Sequence, residues 1–290
     1  MQSADQYIDA VKDLPPAPIV ATKLLDLFSD PDRDIHRVVE LIRHDPSLTG
    51  KVLNRCNSAH FSGALPATDI FEVVTRLGFH EVYNTVVALV TASTFTRLKT
   101  FGGMDLNKLW RHSVISAVAA GAIAKRVDEP QAVAFTAGLL HDIGKLILAS
   151  VEDSHYAELV RLHGVCHLKL DRAEQEVFGV EHAALGAELL ARWGLPDTIV
   201  AAVRHHHSAS SSVAAPGRLV AIIKLANNLA HFLSIDAAQM CDTTRCNPNA
   251  LPLLGLTDKE LPELIQQIDD GLRHVQGFSK LTFNQFNQSN

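Results

Sequence analysis

Aromatic side chains are scarce, at 6% of 290 residues, and basic residues are outnumbered by acidic ones, leaving a net charge of −6. No Lys/Arg stripe interrupts the chain, so a nucleic-acid partner held by phosphate neutralisation is disfavoured. The four cysteines, at 56, 166, 241 and 246, follow no framework spacing. Cys241 and Cys246 would supply half of a metal site, but no second pair follows, and all four are read as reduced, structural thiols. The opening MQSADQYIDAVKDLPP contains acidic residues and no apolar stretch, so it does not read as a signal peptide. The longest apolar run, residues 132–150, is broken by His, Asp and Lys and reads as a core segment rather than a membrane span. A soluble, cytoplasmic protein is expected.

Familiar catalytic signatures are also missing. There is no GxGxxG, no P-loop, no GxSxG elbow and no HExxH. Dinucleotide binding, P-loop chemistry and serine-hydrolase chemistry therefore have no support. Neither an internal repeat nor a period-two alternation of apolar residues is present, which argues against solenoids and against β-sheet.

What is present is Ala, Val and Leu in helical phase, within a hydrophobic content of 47%. DIHRVVELIRHDPSL places apolar residues at 35, 38, 39, 41 and 42, a 3.6-period face that breaks at Asp45-Pro46. Asp69 is placed to cap IFEVVTRLGFH, which ends at Gly78. Five short helices fall within about 85 residues, and none can bury its face alone. The polar stretch RLKTFGGMDLNK, 97–108, marks a boundary. Longer helices are expected beyond it, near 108–127, 130–150, 153–164, 168–178, 181–193, 197–207 and 216–233. SASSSVAAPG reads as a loop, a further amphipathic helix is expected near 258–275, and the last dozen residues read as a frayed tail.

Fifteen histidines need explaining. Four helices after residue 104 each carry one where a structural helix prefers something else: His112, His141 beside Asp142, His182, and the triplet His205-His206-His207. Facing His and carboxylate side chains are how helical bundles build metal sites, and imidazole with carboxylate suits Zn, Fe, Ni or Mn. In AGLLHDIGKLIL, Gly144 permits close approach of a neighbouring helix. Lys145, one turn after His141, is placed to pair with Asp142 or to meet a phosphate oxygen. The alternative is a hydrogen-bonded core histidine network with no ligand, in which Asp142 and Lys145 form a simple ion pair and the triplet merely ends a helix.

AGLLHDIGKLIL followed by HAALGAELLARWGLPDTIVAAVRHHH resembles the HDOD family, the HD-related output domains of bacterial signalling proteins. LPPAPIVATKLLDLFSDPD, VVELIRHDPSLTGKVLNRCNSA and IFEVVTRLGFHEV resemble the family's opening helices, with DPSL and RLG in order; the resemblance covers roughly residues 13–233. It implies an all-α, two-lobed helical bundle. Residues 1–103 would form the short-helix lobe, 104–235 the HD-like lobe, and 236–290 a C-terminal extension.

The family is related to HD phosphohydrolases and to the HD-GYP phosphodiesterases that cleave cyclic di-GMP. Carried over position by position, the resemblance makes His112, His141, Asp142, His182, His206 and His207 the metal-ligand set, for one divalent ion such as Fe, Mn, Ni or Zn. Against that pattern the sequence shows three departures. Asn227 stands where the closing Asp is expected, and Lys108 where HD-GYP enzymes carry a Glu; the HHExxDGxGYP segment is missing. Asn offers a divalent ion a neutral oxygen in place of a carboxylate. The resemblance therefore implies a regulatory output domain, of the kind found in response regulators, acting through protein contacts with a weakened metal site. The alternative it implies is a metal-dependent phosphohydrolase acting on a nucleotide or cyclic dinucleotide, in which Lys145 would be catalytic. Expected partners are other signalling proteins or domains, such as a receiver domain preceding this one, with neither nucleic acid nor membrane among them.

Overall fold

A computed structural model describes residues 3–11, 19–29, 34–57, 67–97, 105–166, 169–208, 217–234 and 250–272. Among the described residues every regular element is helical, as the composition and periodicity require. The expected loop at 209–216 and the expected tail lie outside the described residues, as do Cys241 and Cys246.

By backbone contacts the chain divides into two units. One takes in described residues between 19 and 94 together with 269–272, and is built mainly from α2 (Ile19–Ser29), α3 (Ile35–Arg43), α4 (Pro46–Cys56), α5 (Ile70–Leu77) and most of α6 (Phe79–Arg97). Local chemistry sets these boundaries. The Asp34 carboxylate accepts the N–H of His36 at the start of α3, and Asp69 accepts those of Phe71 and Glu72 at the start of α5. Gly78 ends α5 with φ of 80°, a conformation that favours glycine. Val38, Val39 and Ile42 are the buried face of α3, in the expected phase, and α3 packs against α2, α4 and α5. Burying each such side chain contributes roughly 1.5–3 kcal/mol.

The other unit comprises residues 1–17 and 95–268. Its centre is α7 (Leu106–Arg126) packed along α8 (Gln131–Leu140) and α14 (Arg218–Ser234). Around them lie α9 (Gly144–Val151), α10 (Asp153–Cys166), α11 (Leu170–Phe178), α12 (His182–Arg192), α13 (Asp197–His205) and the short α15 (Ala250–Leu253). Small residues bring α8 against α7: a Cβ on Gly138 would stand 2.7 Å from the carbonyl oxygen of Ser116. After α15, a 3-10 turn at Asp258–Glu260 leads into a helical stretch, 261–272, where Leu264 and Ile268 are buried.

The N-terminal α1 (Ala4–Ala10) groups with this unit, not with the short helices that follow it in sequence. It buries Tyr7 and Ile8 and packs on α9 and α12. The Tyr7 hydroxyl donates to Glu152 at 3.2 Å, and Arg192 of α12 pairs with Asp5 and Asp9.

The continuous helix expected over 130–150 is broken. Residues 141–143 form a turn between α8 and α9, in which three successive bonds (Ile143 N–H to Leu140, Lys145 N–H to Asp142, Leu146 N–H to Ile143) span three residues rather than four. The backbone stays right-handed but winds more tightly. The stretch 131–151 is long and apolar enough by composition to cross a membrane, yet most of it is buried inside this unit.

Candidate metal centre

The turn between α8 and α9 carries His141 and Asp142 inward, both essentially inaccessible to solvent. A carboxylate buried this deeply requires compensation. Asp142 Oδ2 receives it from Lys145, whose Nζ lies 2.6 Å away, with His141 Nε2 at 3.4 Å and His112 Nε2 at 3.6 Å on the same side. Asp142 Oδ1 faces His182 Nε2 at 3.3 Å and His206 Nε2 at 3.7 Å. Burial works to raise the carboxyl, but His141 and Lys145 outweigh it and hold Asp142 well below the usual carboxylate range.

Three imidazoles are oriented from behind. His141 Nδ1 lies 2.8 Å from the Gly138 carbonyl, and His206 Nδ1 lies 2.6 Å from that of Val203. A carbonyl only accepts, so each Nδ1 carries a proton and each Nε2 is turned inward; burial keeps His206 neutral, so its Nε2 presents a lone pair there. His182 is turned by Glu174, whose Oε2 lies 2.5 Å from His182 Nδ1 and accepts the backbone N–H of His182 at 2.8 Å. Glu174 therefore fixes the ring and also satisfies a free amide at the start of α12. Its other oxygen accepts the Tyr156 hydroxyl at 2.8 Å. Burial lowers His206 to about 4, whereas for His182 the Glu174 charge overcomes burial and raises it to about 9.

The helices that hold these groups touch at glycines. A Cβ on Gly144 would collide with the His182 carbonyl oxygen and stand 2.7 Å from Gly186 N; one on Gly186 would stand 3.2 Å from Gly144 N. This is the close approach expected of Gly144, and it brings His182 within reach of Asp142.

His112, His141, Asp142, His182, His206 and His207 are thus brought together from α7, the turn after α8, the start of α12 and the end of α13. They form two sets of potential ligand atoms, each set lying within 4.8 Å: Asp142, His182, His206 and His207, and His112, His141 and Asp142. His207 Nε2 lies 3.0 Å from His182 Nε2. His205 points elsewhere, with Nδ1 3.4 Å from the Ser208 hydroxyl. Asn227 is buried on α14, and its Oδ1 has no hydrogen-bond partner. His231, one turn further along α14, has its ring centroid 4.5 Å from that of His112, with the rings tilted by 38°.

Two residues of the site were out of reach of motif reading. Glu174 lies between Asp171 and Glu176, and its one distinguishing signal is its spacing of four from Phe178. His231 is marked by its spacing of four from Asn227.

These residues fit a divalent transition metal. Asp142 Oδ1 and His206 Nε2 are both buried without a hydrogen-bond partner, and in a protein interior such atoms call for one. Both are acceptors facing each other, an arrangement that a cation between them stabilises. Imidazole and carboxylate donors without thiolate suit Zn, Fe, Ni or Mn.

Residues 14–209 match the HDOD domain, over more than half of the chain. The chain belongs to the HDOD family. An HDOD domain protein of unknown function from Geobacter sulfurreducens has a similar crystal structure (TM-score 0.78, 24% identity), with 96% of each chain covered. A candidate signal transduction protein from Marinobacter aquaeolei VT8 is also similar in fold (TM-score 0.72, 24% identity), over 97% of this chain and 61% of that one. Among curated proteins, an uncharacterised protein of Treponema pallidum is 24% identical over 232 residues, 79% of this chain. The HDOD chain spans 44% of that relative's length.

Proposed function

We propose that this HDOD domain is a cytoplasmic regulatory module of signal transduction, which holds a divalent transition metal and acts through contacts with other signalling proteins. One observation carries this reading: both sets of ligand atoms share a single carboxylate, Asp142, and one of its oxygens is already paired with Lys145. Glu174, the other buried carboxylate at the site, is engaged by His182 and Tyr156. Asn227 adds a neutral side chain where the family resemblance places an Asp. Such a site keeps donors to hold an ion and is poor in the negative charge that a hydrolytic centre uses.

A route for transmission is present in the packing. The helix α1 sits on α9 and α12, the two helices that meet at Gly144 and Gly186. A partner that shifts α1 acts on the helices that position Asp142 and His182, and by linkage an ion bound there acts back on the partner. The name of the Marinobacter protein and the regulatory character of HDOD domains support the same reading.

A second reading, a metal-dependent phosphohydrolase, is favoured by the complete imidazole set and by Lys145, whose side chain is partly exposed beside Asp142. When bound, a metal would lower the pKa of a coordinated water. In that case Lys145 would leave Asp142 to hold a phosphate oxygen, and His182 would keep its orientation through Glu174. The two readings separate on hydrolysis of bis-p-nitrophenyl phosphate and cyclic di-GMP with added Mn, Fe or Ni. The regulatory reading expects no turnover above that of Asp142→Ala, and turnover abolished by that substitution overturns it.

A further inference from the structure

The two oxygens of Asp142 face different surroundings. Around Oδ2 the polar atoms are satisfied: Lys145 Nζ stands 2.6 Å away, and His112 Nε2 and His141 Nε2 lie 3.2 Å apart, one donating to the other. Around Oδ1 they are not. Two buried atoms that lack a partner, Oδ1 itself and His206 Nε2, lie on this side, with His182 and His207 beside them. Asp142 is 1% exposed and His206 3% exposed, so water supplies neither of them freely.

Charge points the same way. Two divalent ions together with the Lys145 ammonium would face only two carboxylates, Asp142 and Glu174, since His182 is neutral once it ligates and Asn227 carries no charge. Excess positive charge of that size is costly away from water. One ion leaves a much smaller excess.

We infer that the site takes a single divalent ion on the Oδ1 side, held by Asp142, His182, His206 and His207, and that the Lys145 ammonium fills the second cation position at Oδ2. This rests on the metal-binding reading proposed above. Lys145 is then a selectivity residue that sets the number of ions, and His112 and His141 form a hydrogen-bonded pair outside the coordination sphere.

The test is a Co²⁺ titration of the full chain after chelator treatment and dialysis. Uptake is followed by equilibrium dialysis and coordination by visible d–d absorption, with far-UV circular dichroism reporting the fold of every variant. The wild type is expected to saturate at about one equivalent and Lys145→Met at about two, because removing the ammonium frees Oδ2 for a second ion. His206→Ala is expected to lose the absorption band, and His112→Ala to keep it. Saturation of the wild type at about two equivalents, a Lys145→Met protein that folds but stays at about one, or loss of the band in His112→Ala overturns the inference and leaves the metal reading standing. Should Lys145→Met not fold, the wild-type stoichiometry and the two histidine variants decide. No cobalt uptake by the wild type overturns the metal reading itself.

Discussion

Glu174 holds His182 at two points, the backbone N–H at 2.8 Å and ring Nδ1 at 2.5 Å, with none of the carboxylate exposed. One side chain thus starts a helix and aims an imidazole at Asp142. A carboxylate behind a ligating histidine fixes its tautomer and raises its basicity.

Replacing Glu174 is therefore expected to act on the metal more than its distance from Asp142 suggests. Glu174→Gln keeps an acceptor for the backbone amide but removes the charge, and metal affinity should fall about 10–100-fold. Glu174→Ala also strands the His182 amide, and should destabilise the fold by roughly 3–5 kcal/mol. Equilibrium dialysis and urea unfolding measure the two effects separately.

The same contact sets a pH dependence. In the metal-free fold His182 is raised to about 9 from the ordinary 6.5, so the folded state keeps a proton that the unfolded chain gives up first. The resulting stabilisation is fully present below pH 6.5 and is lost as the pH rises through about 9. An ion must displace that proton, so metal affinity should rise across the same interval. In Glu174→Gln both trends should shrink, and an NMR titration of His182 should move from about 9 back toward 6.5. An unchanged titration would separate His182 from Glu174.

Two glycines of opposite character test the helix contact. Gly144→Ala drives a methyl group into the His182 carbonyl oxygen and against Gly186, and overpacking of this kind costs about 1–3 kcal/mol or more. Metal affinity should fall with it, because α12 must move to make room. Gly50, within α4, has nothing within 4 Å of a Cβ, and Gly50→Ala should stabilise by about 0.5–1 kcal/mol through helix propensity. Thermal unfolding of both variants checks the contrast.

Much of this architecture is legible in the sequence because periodicity and capping act locally. Val38, Val39 and Ile42 reveal the buried face of α3, Asp69 and Gly78 bracket α5, and histidines on successive helices reveal a shared polar centre. The break at 141–143 is not legible: no Pro interrupts the stretch, Gly138 and Gly144 both serve helix contacts, and the flanking residues keep right-handed backbone angles, so the apolar pattern is that of one helix. Glu174 is hidden for a related reason. A carboxylate among other acidic residues looks solvated, and only the fold shows that it shares the buried side of α11 with Phe178. The placement of α1 on α9 and α12 is a long-range contact with no local signature.

These imidazoles and Asp142 are expected to gather around a metal ion. Anomalous diffraction above the zinc absorption edge, from crystals of the full chain grown with zinc, tests it most directly. One anomalous peak among Asp142 Oδ1, His182, His206 and His207 is the predicted result. A map with no peak among these residues, at zinc concentrations that saturate ordinary protein sites, would contradict it.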